Sequence, residues 1–358
     1  MEHTQSSLSS RGEYPPVVRM IRNACGGAGA YISRGWQNVF DAMGWQYKVW
    51  NGRNPERTFE EFAPDIYMAD VRMRHWIPTR IKRGQTLVIA TADQWASPWL
   101  NPEDARNGYR TKWYDRIWIR MLNPAFLFHQ TTPEGIQKGW NKWTSAEGIP
   151  VHSFMVAGDT FDYLYDGPPV AALECDVAYV GGYWPYKSSG LNDYLLDRLQ
   201  GYRYQIYGSG WPKGISKGRI DTADIKLLFK SARFVPCIHE PHSRLYGYDI
   251  VQRLFMVPLA GGFTISDPVR GIHGEGIFSE DEMIVADSAN DMWEKAAYFI
   301  SHPEARQRYT ERARARVLRE HTYFHRVGTM LRLLGFRKAL DLLKAKMLAL
   351  GLGSSTLE

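Results

Sequence analysis

The chain has 358 residues, 44 % hydrophobic and 23 % charged, the make-up of a globular protein of about two domains. These proportions exclude wholesale disorder, and no apolar run approaches the roughly 20 residues that cross a bilayer. The formal net charge of +6 is uneven: residues 1–150 carry 19 Lys and Arg against 14 Asp and Glu, residues 151–328 carry 20 against 22, and residues 329–358 carry five against two. A basic first half and a basic tail point to a polyanionic or membrane-surface partner.

Residues 1–15 are expected to be a polar tail, because they hold no hydrophobic stretch of the kind a signal peptide needs. Pro16–Asn23 predicts a buried strand running into the small-residue loop Cys25-Gly26-Gly27-Ala28-Gly29. An amphipathic helix follows from Tyr31 to Met43, then a strand over Gln46–Trp50, a βαβ start. Phe62–Met68, Thr86–Thr91 and Ala125–His129 are further strand candidates, and a helix is expected after Pro133. Between about Val156 and Glu174, Gly158, Gly167, Pro168 and Pro169 mark a linker.

The pattern then restarts. Strands are predicted at Cys175–Val180, Tyr204–Tyr207, Phe234–Ile238 and Phe263–Ser266. Helices are predicted at Gly190–Leu199, Ile225–Ser231, Tyr248–Leu259, Asn290–Ile300 and Pro303–Glu320. Strands alternating with helices imply parallel sheets, and the length calls for two α/β, Rossmann-like doubly wound domains. The expected boundaries are 16–157 for the first domain, 158–174 for the linker and 175–328 for the second domain. Residues 329–358 form a basic amphipathic C-terminal helix packing back on the first domain, with weak membrane-surface contact as the alternative. Cys25, Cys175 and Cys237 are odd in number and widely spaced, so they build no disulfide framework and fit a reducing, cytoplasmic setting.

Several residues could carry chemistry. Gly27 lies in a loop between strand and helix, where backbone N–H groups and the helix dipole can hold an anion; a plain tight turn explains it equally. In the second half, Gly181-Gly182 with Lys187, Gly208 with Trp211, and Gly261-Gly262 are assigned to loops at the carboxyl ends of strands, where doubly wound sheets bind ligands. With Arg253, they could cradle a nucleotide diphosphate, the cations neutralising its charge.

These blocks resemble the CgeB-like branch of the group 1 glycosyltransferases. The resemblance rests on Asp176-Val-Ala-Tyr-Val-Gly-Gly182 with Tyr204-Gln-Ile-Tyr-Gly-Ser-Gly-Trp211, on Arg253-Leu-Phe-Met-Val-Pro-Leu-Ala-Gly-Gly-Phe263 ending in Ser266-Asp267, and on His302-Pro-Glu-Ala-Arg306 through His321-Thr-Tyr323 to Arg326. It implies a GT-B fold, two Rossmann-like domains facing each other across a cleft, with a nucleotide-sugar donor in the second domain. Gly181, Gly182 and Lys187 would then lie near the donor diphosphate, and Gly208 and Trp211 near the base. Arg253, Gly261 and Gly262 would lie by the phosphates and ribose. A UDP-sugar is the expected co-substrate, with no other cofactor and no metal, basic side chains taking the metal's place. The family's carboxylate in the Arg-x-Phe-Glu block is replaced here by Met256, and Glu240 and Asp249 are the nearest acids.

Asp93, directly after the strand Thr86–Thr91, is the candidate general base, with a turn cap as its plainer role. His239 and Glu240, ending a strand, are further catalytic candidates. For the acceptor, Arg72, Arg74, Arg106, Arg110 and Trp113 interleave bases with aromatics, as a phosphate backbone with an unstacked base requires. A hydroxymethylated pyrimidine in DNA is the favoured acceptor and a surface or envelope glycan the alternative. A sugar-nucleotide epimerase and a non-catalytic nucleic-acid-binding protein are the competing classes.

Overall fold

A computed structural model describes residues 16–25, 27–70, 86–91, 113–139 and 148–357. The described residues fall into two compact units: one from 16–91, 113–128 and 324–357, the other from 129–323.

In the first unit, strands β1 (Arg19–Asn23), β2 (Gln46–Trp50), β3 (Ile66–Asp70), β4 (Leu87–Thr91) and β5 (Phe126–His129) lie in the order β2-β1-β3-β4-β5. Each neighbouring pair is parallel, with Met20 opposite Ile66 and Tyr67 opposite Val88. Met20, Ile21, Tyr67 and Ile89 are wholly buried, which explains the unbroken apolar runs of a two-sided sheet. Gly27 opens the helix Ala28–Ala42 at φ +58°, and Trp36, Val39 and Phe40 form that helix's buried face. Asp65 ties β3 to β1: its Oδ2 accepts the Arg19 backbone N–H at 2.8 Å.

Two expectations change here. A helix spans Pro55–Phe62, so β3 starts at Ile66 rather than Phe62. Ala63 turns the chain at φ +45° and Pro64 has no N–H to continue the helix. The tail is two helices, Tyr323–Leu334 and Arg337–Ala349, broken at Gly335 with φ +79°. Met330, Leu331, Leu343 and Met347 are buried, while Leu342 and Leu348 face solvent. Among the described residues no helix is long and apolar enough to cross a membrane.

In the second unit, β7 (Cys175–Val180), β8 (Tyr204–Tyr207), β9 (Ala232–Cys237), β10 (Thr264–Ser266) and β11 (Ile284–Val285) form a parallel sheet in the order β11-β10-β9-β7-β8. A short strand, β6 (Val151–Ser153), precedes them. Val177, Phe234, Ile265, Leu191 and Met292 share one buried cluster between this sheet and its helices. The helix expected over Tyr248–Leu259 begins only at Arg253. Upstream, Asp249 bridges Thr131 in extended backbone, and the Tyr248 carbonyl accepts from the Thr131 hydroxyl and the Thr132 N–H. Competing backbone partners explain the late start.

Candidate functional site

Strands β8, β7, β9 and β10 are mutually parallel, so their carboxyl ends share one edge. The loops leaving β7 and β8 are stitched together there. The Gly181 N–H donates to Tyr207 O at 2.9 Å, Tyr183 N–H to Ser209 O at 2.8 Å, and the Trp211 indole N–H to Gly181 O at 2.8 Å. Gly208 sits at φ +133°, and a Cβ there would fall 2.1 Å from Gly181 O. Only glycine fits that crossing. Gly182 is less constrained: a Cβ would make ordinary contact, 3.6 Å from Ser209 O. Trp211 packs edge-on to Tyr179, ring centroids 5.6 Å apart, so the loops rest on the sheet through aromatics.

Arg253 opens the helix Arg253–Leu259 beneath these loops. Its Nη2 donates to Val180 O at 2.5 Å and its guanidinium stacks 4.1 Å above the Tyr179 ring. Its Nη1 is buried without a hydrogen-bond partner. Lys187 is buried too and donates to Glu240 Oε1 at 3.2 Å. Burial opposes the Lys187 charge, but Tyr179, Glu240 and Asp267 outweigh it, and its pKa is raised. Burial likewise opposes the Glu240 charge; Lys187, then His239, outweigh it and hold the carboxyl below its ordinary value.

Beyond β9, the His239 and Asp267 side chains are wholly buried, with Nδ1 2.5 Å from Oδ1. Arg244 Nη1 donates to Asp267 Oδ2 at 3.1 Å and to His239 O at 2.7 Å. Burial works to raise the Asp267 pKa, but His239 and Arg244 keep it lowered. The Asp267 carboxylate facing Nδ1 holds a proton on that nitrogen, and Nε2 is buried with no hydrogen-bond partner. His242 differs: its Nδ1 meets the Tyr186 hydroxyl at 2.9 Å and its Nε2 meets Asp249 Oδ2 at 3.1 Å. Both nitrogens of His242 are engaged. Asp249 is lowered despite burial, chiefly by this His242 bond.

One edge of the sheet therefore brings together Gly181, Gly182, Lys187, Gly208, Trp211, His239, Glu240 and Arg253, with Asp249 joined through His242 and Tyr186. Cations outnumber carboxylates in the inner set: Lys187, Arg244 and Arg253 against Glu240 and Asp267. A half-committed guanidinium beside an ammonium suits an anion with several oxygens. Among the described residues no three His, Cys, Asp or Glu side chains converge as a metal site requires.

Gly261 and Gly262 depart from the expectation. They follow the helix Arg253–Leu259 and lead into β10, which puts them at the amino ends of the strands, away from the other loops. Gly262 is required there by packing, since a Cβ would lie 2.5 Å from Phe229 O. Gly27 lies in the first unit, exposed, with open space where a Cβ would be. Asp93, Arg72, Arg74, Arg106 and Arg110 lie outside the described residues; Trp113 begins the helix Trp113–Leu122, and its side chain is likewise outside them. Sequence reasoning met Asp267 only as the end of a motif, without a site role, and passed over Arg244, His242 and Tyr186. For Asp267 a signal existed: a carboxylate immediately after a predicted strand is a carboxyl-end residue, as His239 and Glu240 are.

Two parallel-sheet α/β units of this kind define the GT-B fold. Residues 191–332, less than half the chain, match the family model described as glycosyl transferase-like. No curated protein matches the chain. Among solved structures, sucrose-phosphate synthase from Thermosynechococcus elongatus aligns at TM-score 0.57 and 10 % identity, over 93 % of this chain and 97 % of that one. An α-glucosyltransferase in complex with UDP and a 13-mer DNA containing an HMU base aligns at TM-score 0.58 and 10 % identity, over 89 % and 100 %. HepE of Anabaena in complex with UDP gives the same values.

Proposed function

We propose that this protein is a glycosyltransferase that moves a sugar from a UDP-sugar to an acceptor hydroxyl without a metal ion, as a CgeB-like member of the group 1 enzymes acting in the cytoplasm. The observation that carries the reading is Arg253: its Nη1 is buried without a partner beside buried Lys187, at the sheet edge where doubly wound folds bind nucleotides. The diphosphate would be held by Arg253 and Lys187, with Gly181 and Gly182 letting its backbone approach. The base would lie against the Gly208–Trp211 loop. His239 and Glu240 would face the sugar, and Asp93 would serve as the base that takes the acceptor proton. Two structural neighbours are complexes with UDP, which supports the choice of nucleotide.

For the acceptor, the reading favours a hydroxymethylated pyrimidine in DNA, approached through Gly27 and the basic residues Arg72, Arg74, Arg106 and Arg110. Its supports are the basic first half of the sequence and the HMU-containing DNA named with one neighbour. The test incubates the protein with UDP-glucose, UDP-galactose or UDP-N-acetylglucosamine and with DNA carrying 5-hydroxymethyluracil or 5-hydroxymethylcytosine. Mass spectrometry of the digested nucleosides should show one added hexose, or one N-acetylhexosamine where UDP-N-acetylglucosamine is the donor. Donor hydrolysis or binding without DNA glycosylation would move the acceptor to a glycan; no binding of any nucleotide sugar would overturn the transferase reading itself.

A further inference from the structure

The second unit has another concavity, at the opposite edge of its sheet from the loops described above. It encloses about 510 Å³ at the amino ends of β7, β9 and β10, where Cys175, Ala232 and Phe263 reach its wall. That volume suits a small molecule. We propose that this cavity is a second ligand site, taking a phosphate-bearing small molecule with free hydroxyls, such as a sugar phosphate; it goes beyond the transferase reading and does not depend on it.

Charge in this confined space is unbalanced. Five cations line the cavity: Arg203, Lys230, Arg233, Arg306 and Arg314. Arg203 and Arg233 share the single carboxylate of Asp176, at 3.8 and 3.1 Å. Arg314 pairs with Asp166. Among the described residues the Arg306 side chain bonds only to backbone carbonyls, Phe299 O at 2.9 Å and Ile300 O at 3.2 Å, at the end of the helix Ala289–Ser301. Lys230 makes no ion pair among the described residues; its Nζ lies about where a Cβ on Gly261 would touch it, 3.0 Å away. The Arg306 pKa is lowered, first by burial and then by the Arg233 charge. Arg233 thus shares its one carboxylate with Arg203, and Arg306, on the same wall, has no carboxylate partner among the described residues. A bound phosphate relieves that repulsion and accepts from both forks.

The rest of the wall sets the ligand's other half. Glu174 and Glu311 carry the opposing charges, while Gln307 and Thr310 offer neutral donors and acceptors. Carboxylates beside amides and hydroxyls repel a second phosphate and accept from sugar hydroxyls. A polyphosphate or a nucleic-acid backbone would place charge against Glu174 and Glu311, so a monophosphate of a polyol fits better. Gly261 belongs to this cavity as well, which gives the glycine a place other than the nucleotide loops.

The test is calorimetric titration of the full chain at low salt with glucose 6-phosphate, inorganic phosphate and UDP, repeated on R233Q, R306Q and K230M. Glucose 6-phosphate should bind with Kd of about 1 mM or tighter, more tightly than inorganic phosphate, and at least ten-fold more weakly in each variant. UDP affinity should stay unchanged in all three. Because the Arg306 guanidinium also caps the carboxyl end of the helix Ala289–Ser301 and its loss could disturb folding, K230M, which breaks no ion pair among the described residues, decides alone if R306Q unfolds. No heat from glucose 6-phosphate at about 10 mM, equal binding in K230M and the native protein, or displacement of the sugar phosphate by UDP would each overturn the proposal.

Discussion

His239 and Asp267 are joined twice: the His239 backbone N–H donates to Oδ2 at 2.9 Å, and ring Nδ1 stands 2.5 Å from Oδ1. This pair of hydrogen bonds holds the end of β9 against the end of β10, and Arg244 closes it from a third side. Breaking one partner of such a buried ionic cluster strands the others. D267A should therefore lower unfolding free energy by about 3 kcal/mol or more, as urea denaturation would measure.

The same cluster sets acid sensitivity. Asp267, Glu240 and Asp249 all have lowered folded pKa values. A carboxyl lowered on folding stabilises the native state at pH values above its unfolded pKa and loses that contribution as pH falls through the folded value. Stability should be level near neutrality and fall steeply below about pH 4. E240Q should flatten that fall. A variant as steep as the native protein would show that Glu240 is not held by Lys187.

Gly208 makes a sharper structural prediction. G208A must adopt φ +133° and place its Cβ against Gly181 O. The backbone strain alone costs about 1–3 kcal/mol, and the overlap forces the two loops apart. Thermal unfolding should fall by several degrees, and UDP should no longer raise the melting temperature. G182A, with only ordinary contacts at the added Cβ, should be mild in both respects.

Thiol chemistry separates the three cysteines. Burial pushes the Cys237 thiol up to about 12 and the Cys175 thiol up to about 11. Both are buried, and only Cys25 reaches intermediate exposure. Thiolate is the reactive form. At pH 8 the native protein should react with a disulfide reagent at one thiol at most, and at three after denaturation. Two fast thiols in the native state would contradict the packing around β7 or β9.

Much of this architecture was legible in the residues. Cys175–Val180 and Tyr204–Tyr207 end at glycines because the chain must turn there, and the turn is visible as Gly181-Gly182 and Gly208. The register of those loops was not legible, since Gly181 O accepts from an indole thirty residues away. Local pattern fails where partners are distant: Tyr248 and Asp249 read as helix, yet Thr131 holds them in extended backbone. Gly261-Gly262 read as another nucleotide loop because a glycine pair before a strand looks like one after it. The His239–Asp267 pair lay hidden for the same reason, two strand ends that only the sheet order makes neighbours.

In the proposed function Arg253 holds a nucleotide diphosphate, and R253K is the most direct test of that role. Lysine keeps the charge but loses the fork that now reaches Val180 O and leaves Nη1 free. Calorimetry of UDP with the native protein and with R253K should show binding weakened at least ten-fold, about 1.4 kcal/mol, with the melting temperature of the free protein little changed. Equal UDP affinity in the two proteins, or no UDP binding by the native one, would contradict the assignment of this sheet edge to a nucleotide sugar.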